Sequence, residues 1–167
     1  MRGLNDGGSS ELLRTVYRGI GEYGKVHHST FGEIWAYEVD GYGNVLMMDD
    51  ANAPGLLRLS YFDCCNARDP LYLRTRQFVL SCHNPYFLKG AAADGGGRPH
   101  VGLGYIWPLS IILHALTSTN DHEILQCLKW FRDTTCGTGF MHESFYKDEP
   151  SRLLVLGSLG PIHSLAN

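Results

Sequence analysis

Apolar positions recur at helical spacing in several stretches of the chain. Leu13, Val16, Tyr17 and Ile20 fall on one face of residues 10–23, so the pattern predicts a helix there, and Gly24 ends it. Residues 26–30 and 33–39 read as a short β-hairpin closed by the turn-rich Gly41-Tyr42-Gly43-Asn44. Pro54 opens a short helix to about Phe62, and Asp69-Pro70 supplies an N-cap and first-turn pair for a helix to about Ser81. Pro108 stands in the first turn of a segment through Leu116 that is apolar nearly all round and is therefore expected to be deeply buried. Asn120 with Glu123 forms a capping box for a last helix that would bury Ile124, Leu128 and Phe131.

Between these helices lie long loops at 40–53, 82–104 and 135–150, rich in Gly, Asp, Asn and aromatic residues. Long irregular connections in a compact domain more often carry function than not. A closed bundle would need shorter loops and more continuous periodicity. The reading is an all-α protein with a short β-hairpin, its helices forming part of a toroid and its loops forming the active face.

The 167 residues suffice for one domain with a core, and the 44% hydrophobic content fits a folded chain. A net charge of -3 without a basic cluster argues against nucleic acid as a partner. No apolar run approaches the roughly 20 residues a membrane-spanning helix needs. The polar, glycine-rich Met1–Ser10 carries no signal-peptide pattern. Five cysteines without Cys-x-x-Cys spacing make a zinc site improbable, and most read as buried small hydrophobes. Compartment and oligomeric state stay open.

The candidate chemistry is in the loops. Asp40, Asp49, Asp50 and Asn52 stand among glycines and aromatics in the first, a composition suited to a polyhydroxylated ligand: carboxylates and amides bond hydroxyls while aromatic faces stack on a sugar ring. Asx residues beside glycine also cap turns, which is the plainer reading of each. Their spacing lacks the Asp-x-Asp-x-Asp-Gly order and terminal Glu of a calcium loop. Arg98 and His100 follow Gly95-Gly96-Gly97, a run expected to be flexible and to let backbone approach a ligand; it lacks the Gly-Lys-Ser/Thr ending of a phosphate loop. Trp35, Tyr37, Tyr42 and Trp107 read as core, with stacking on sugar as the alternative. His27, His28 and Glu33 do not make a zinc helix and read as structural. Met141-His142-Glu143-Ser144-Phe145 offers a carboxylate beside a histidine that either bonds a hydroxyl, orients the glutamate or is structural.

Taken in order, Y-E-V-D-G-Y-G-N, L-M-M-D-D-A-N-A-P, T-R-Q-F-V-L-S, N-P-Y-F, R-P-H, Y-I-W-P and G-T-G-F-M-H-E-S-F make the chain resemble glycoside hydrolase family 125, the metal-independent exo-α-1,6-mannosidases. The resemblance implies an (α/α)6 toroid with the active site in a funnel of loops, and inverting hydrolysis of terminal α-1,6-mannose from glycans with no metal or other cofactor. It makes Glu143 the general base and puts Asp40, Asp49, Asp50, Asn52, Arg98, His100 and His142 at the mannose site. An inverting pair needs a second carboxyl about 6.5–9.5 Å away. The family carries that acid in an upstream S-G-F-R-P-S-D-D type run that this sequence lacks. Residues 1–152 therefore resemble the C-terminal part of the catalytic domain, expected to be inactive alone, with a mannose-binding remnant or pseudoenzyme as the alternative. The family continues beyond Arg152 with an F-T-R-S-W-F-A-W-A-N-S type helix. Residues 153–167 read as that helix translated out of frame, because permitted codons shifted by one nucleotide give T-R-S-W-F-A-W-A-N-S-L.

Overall fold

The computed structural model describes residues 7–154. The proposed out-of-frame tail lies outside the described residues except for Leu153 and Leu154. Among the described residues, four α-helices and nine short strands follow in this order: α1 (Gly7–Tyr23), β1 (Lys25–His28), β2 (Gly32–Trp35), β3 (Glu38–Val39), β4 (Val45–Leu46), α2 (Pro70–Val79), β5 (Phe87–Leu88), β6 (Gly95–Gly96), β7 (Tyr105–Ile106), α3 (Pro108–Leu116), α4 (Asp121–Asp133), β8 (Ser144–Tyr146) and β9 (Glu149–Leu154). The all-α expectation is corrected to helices joined by small antiparallel sheets. These strands, mostly of two to four residues, are too short to print a period-two pattern on the sequence.

The expected hairpin is in fact two. β1 pairs with β2 around the turn at residues 29–31, and the glycine-rich turn at 41–44 closes a separate pair, β3 with β4. The helix expected from Pro54 is a single 3-10 turn at Leu56–Arg58. α2 begins as its sequence predicts: the Asp69 side chain accepts from Leu71 N at 2.8 Å, with Pro70 in the first turn. α3 likewise starts at Pro108.

Two apolar clusters share α3 as their wall. Ile34, Leu56, Leu57, Phe78 and Val79 pack with Leu113 on one side; Ala93, Ile106, Cys127 and Phe145 pack with Ile111 on the other. Side-chain hydrogen bonds tie the elements across the first cluster. Thr75 Oγ1 accepts from Trp35 N at 2.9 Å, and the Tyr72 hydroxyl donates to Leu57 O at 2.8 Å.

Two helices depart from expectation. α4 is capped by Asn120, whose side chain accepts from His122 N and Glu123 N, but Glu123 does not reciprocate as a capping box would. Its carboxylate instead meets Arg76, His114 and Ser118. α4 buries Cys127 and leaves Leu128 exposed. α1 leaves its whole apolar face, Leu13, Val16, Tyr17 and Ile20, open to solvent among the described residues. No described helix is long and apolar enough to cross a membrane.

Candidate active site

The first site segment is built around Asp49. Its carboxylate is 2% exposed and caps the 3-10 turn from seven residues upstream, with Oδ1 accepting from Leu56 N at 2.8 Å and Oδ2 from Leu57 N at 3.1 Å. Asn84 grips the same residue by its main chain: its Oδ1 accepts from Asp49 N at 3.0 Å, and its Nδ2 donates to Asp49 O at 2.8 Å and to Val79 O at 2.9 Å. Arg58, 1% exposed, closes the segment from the other end. Its Nη1 donates to Asp50 O at 3.3 Å and its Nη2 to Ala51 O. The Asp50 carboxylate accepts from the main-chain and side-chain nitrogens of Asn52 at 2.8 and 2.9 Å.

Charge is concentrated here. Burial pushes the Asp49 carboxyl up to about 6, with the neighbouring Asp50 charge adding to the rise while the Leu56 and Leu57 amides and Arg58 oppose it. Burial also lowers Arg58, against the pull of Asp49, Asp50 and Tyr37. Tyr37 is raised by its burial and by the two aspartates. A small interior pocket, with room for about one water molecule, lies beside them, bounded by Asp50, Arg58, Asn84, Ser110 and His114.

The second segment is the glycine run together with residues 98–107. Gly97 O accepts from Ala51 N at 3.0 Å, Gly97 N donates to Tyr86 O at 2.8 Å, and Trp107 N donates to Gly96 O at 3.0 Å. The run is packed rather than open, which corrects the expectation of a flexible loop. A Cβ at Gly95 would lie 2.7 Å from Ile106 Cγ2, and one at Gly97 would lie 2.6 Å from Tyr105 O. Beyond it the Arg98 guanidinium lies over the Trp107 ring, 4.6 Å from its centroid, and His100 meets the same ring edge-on at 5.8 Å. Arg98 Nε and Trp107 Nε1 are buried and have no hydrogen-bond partner among the described residues.

The third segment joins through β8. Tyr105 pairs with Tyr146 and Ile106 with Phe145, so the strand that follows Glu143 runs antiparallel to the one that leads into Trp107. Glu143 is exposed and makes no ion pair among the described residues. His142 is held inside its own loop, its Nε2 3.2 Å from Thr135 O and 3.3 Å from Thr138 Oγ1.

One continuous run of backbone hydrogen bonds thus links Ala51 to Gly97, Gly96 to Trp107, and the Trp107 strand to the strand after Glu143. It ties the segment that carries Asp49, Asp50 and Asn52 to the glycine run before Arg98 and His100, and ties that run to the strand that follows His142 and Glu143. Asp40 stands apart in the β3–β4 turn, where its carboxylate accepts from Tyr42 N at 2.8 Å, Asn44 N at 3.1 Å and Asn44 Nδ2 at 2.5 Å. Tyr42, read as core, is exposed at that turn. Sequence reasoning missed Arg58 and Asn84. An arginine within Leu-Leu-Arg-Leu looks like an ordinary surface cation, and Asn84 before Pro85 looks like an ordinary turn.

The chain belongs to the metal-independent alpha-mannosidase family, glycoside hydrolase family 125, which it matches over residues 7–153. It is 46% identical over 149 residues to the meiotically up-regulated gene 157 protein of Schizosaccharomyces pombe, covering 84% of this chain and 29% of that protein. It superposes on a Streptococcus pneumoniae metal-independent alpha-mannosidase, solved in a non-productive complex with alpha-1,6-mannobiose, with a TM-score of 0.85 and 37% identity over 91% of this chain and 37% of that one. The chain therefore spans well under half the length of either relative.

Proposed function

We propose that this chain carries the water-activating side of an inverting exo-α-1,6-mannosidase whose whole fold is an (α/α)6 toroid. The observation that supports this most is the backbone run that links the Asp50–Asn52 turn, the glycine run before Arg98 and Trp107, and the strand after Glu143. In the proposed mechanism Glu143, exposed and unpaired by a cation, deprotonates the water that attacks the anomeric carbon. Asp50, Asn52, Arg98 and His100 bond mannose hydroxyls. Asp49 serves the same site from beneath, His142 fixes the loop that carries Glu143, and Asp40 shapes the rim. Inversion then needs an acid across the glycosidic bond, about 6.5–9.5 Å from Glu143, to protonate the leaving oxygen. The sequence lacks the family's double-aspartate segment, and residues 1–152 are read as the C-terminal part of the catalytic domain. The family match ends at residue 153, which supports reading 153–167 as an out-of-frame tail.

A base without its acid binds sugar and does not turn it over. Saturation-transfer NMR of the 167-residue chain with α-1,6-mannobiose, together with an assay for released mannose, tests this. Binding without release is expected, and Glu143→Gln should keep the binding. Release of mannose by this chain alone would overturn the missing-acid reading. Absence of binding would overturn the sugar site.

A further inference from the structure

We propose that Arg58 and Asp49 are positioning residues that lock the 49–58 segment, so that Asp50 and Asn52 are presented to the sugar in one fixed arrangement. The proposal rests on the reading of Asp50 and Asn52 as mannose ligands, and it adds how they are held.

Three observations carry it. Arg58 is fully interior yet donates to no carboxylate among the described residues; its two Nη groups go to the carbonyls of Asp50 and Ala51, the residues that carry and follow the candidate ligand. A buried guanidinium given to main-chain carbonyls fixes backbone, and its planar fork holds two at once, which a lysine ammonium does not reproduce. Asp49 supplies the opposing end, satisfying two amide donors of a 3-10 turn whose own N-cap residue, Gly55, offers no side chain. The segment is thereby stitched from Asp49 forward to Leu56–Leu57 and from Arg58 back to Asp50–Ala51.

Gly55 is the third observation. Its φ of -170° is extended and open to any residue, so conformational freedom does not explain it. Space does: a Cβ there would run into Arg58 Nη1 and would lie 2.7 Å from Asp49 Oδ1. The glycine leaves the gap through which the two side chains pass.

Positioning and mere structural support make different predictions. Arg58→Lys keeps the charge and most of the volume but loses the fork. In the full chain it should weaken α-1,6-mannobiose about tenfold. Amide NMR shifts should change at residues 49–58 and at Gly97, and stay in place across α3 and α4. Gly55→Ala, which removes neither partner and only crowds the gap, should give the same local signature. Wild-type affinity in both folded variants would overturn the lock and leave the sugar reading intact. Collapse of amide dispersion throughout both variants would also overturn it, since Arg58 would then only hold the fold. A wild-type chain that binds no mannobiose would overturn the sugar reading, and the positioning role with it.

Discussion

Glu123 and Arg76 form the ion pair that fastens α4 to α2, with Arg76 Nη2 2.8 Å from Glu123 Oε2. The other carboxylate oxygen lies 2.8 Å from His114 Nε2 on α3, so one glutamate holds three helices. Burial pushes its carboxyl up, but the hydrogen bonds from Arg76, Ser118 and His114 outweigh this and hold it at about 2. Glu123→Gln should destabilise the chain by about 2 kcal/mol, because it leaves the mostly buried Arg76 with a neutral partner. Urea unfolding at neutral pH measures this. The depressed carboxyl contributes stability that is present above its unfolded value near 4.5 and is lost as pH falls toward 2.

That same residue shows what could be read from the chain and what could not. Asn120 and Asp69 cap as their types predict, because capping is settled by the residue itself and the next two or three amides. Glu123 fits a capping box equally well by spacing, and besides Ser118 its partners are 47 and 9 residues away in sequence. Asn84 is invisible for the same reason, since the Asp49 backbone it grips is 35 residues away, and Arg58 is invisible because its burial against the carbonyls of Asp50 and Ala51 arises from the turn between them. Met141-His142-Glu143-Ser144-Phe145 is legible as a motif, whereas the pairing of Phe145 with Ile106 depends on the β7–β8 register, which two-residue strands do not announce.

The apolar stripe of α1 is a liability of the isolated chain. Leu13, Val16, Tyr17 and Ile20 are each about half exposed, and a contiguous patch of this kind promotes association. Replacing Leu13 and Val16 by Gln should reduce light scattering on concentration. Unfolding free energy should stay within about 0.5 kcal/mol, as for other surface substitutions. A large loss of stability would show that this face packs against the rest of the chain.

Arg98 covers one face of Trp107, and the two are expected to respond together. Arg98→Ala should remove a cation–π contact of about 1 kcal/mol and weaken mannobiose binding. With 5-fluorotryptophan incorporated at the three tryptophans, 19F NMR should show the Trp107 signal move while those of Trp35 and Trp130 hold. An unmoved Trp107 signal would mean the pair is not formed in solution.

Asp49 gives the chain an unusual dependence on pH. Its carboxyl is raised to about 6 when folded against 3.8 when solvated, chiefly by burial. Between those values the folded chain holds a proton that the unfolded chain has released, so stability is greatest below about 4 and declines as pH rises through 6. The full swing is about 3 kcal/mol. His114, lowered by burial, acts in the opposite sense in the same region, losing stability as pH falls, so the wild-type curve alone does not isolate Asp49. Asp49→Asn does. Its amide keeps one acceptor for the Leu56–Leu57 amides and carries no charge to bury. The difference in unfolding free energy between variant and wild type should therefore shift steadily in the variant's favour as pH is raised from 4.5 to 7. Urea titrations at several pH values check this. A difference independent of pH would mean that folding does not raise the Asp49 carboxyl.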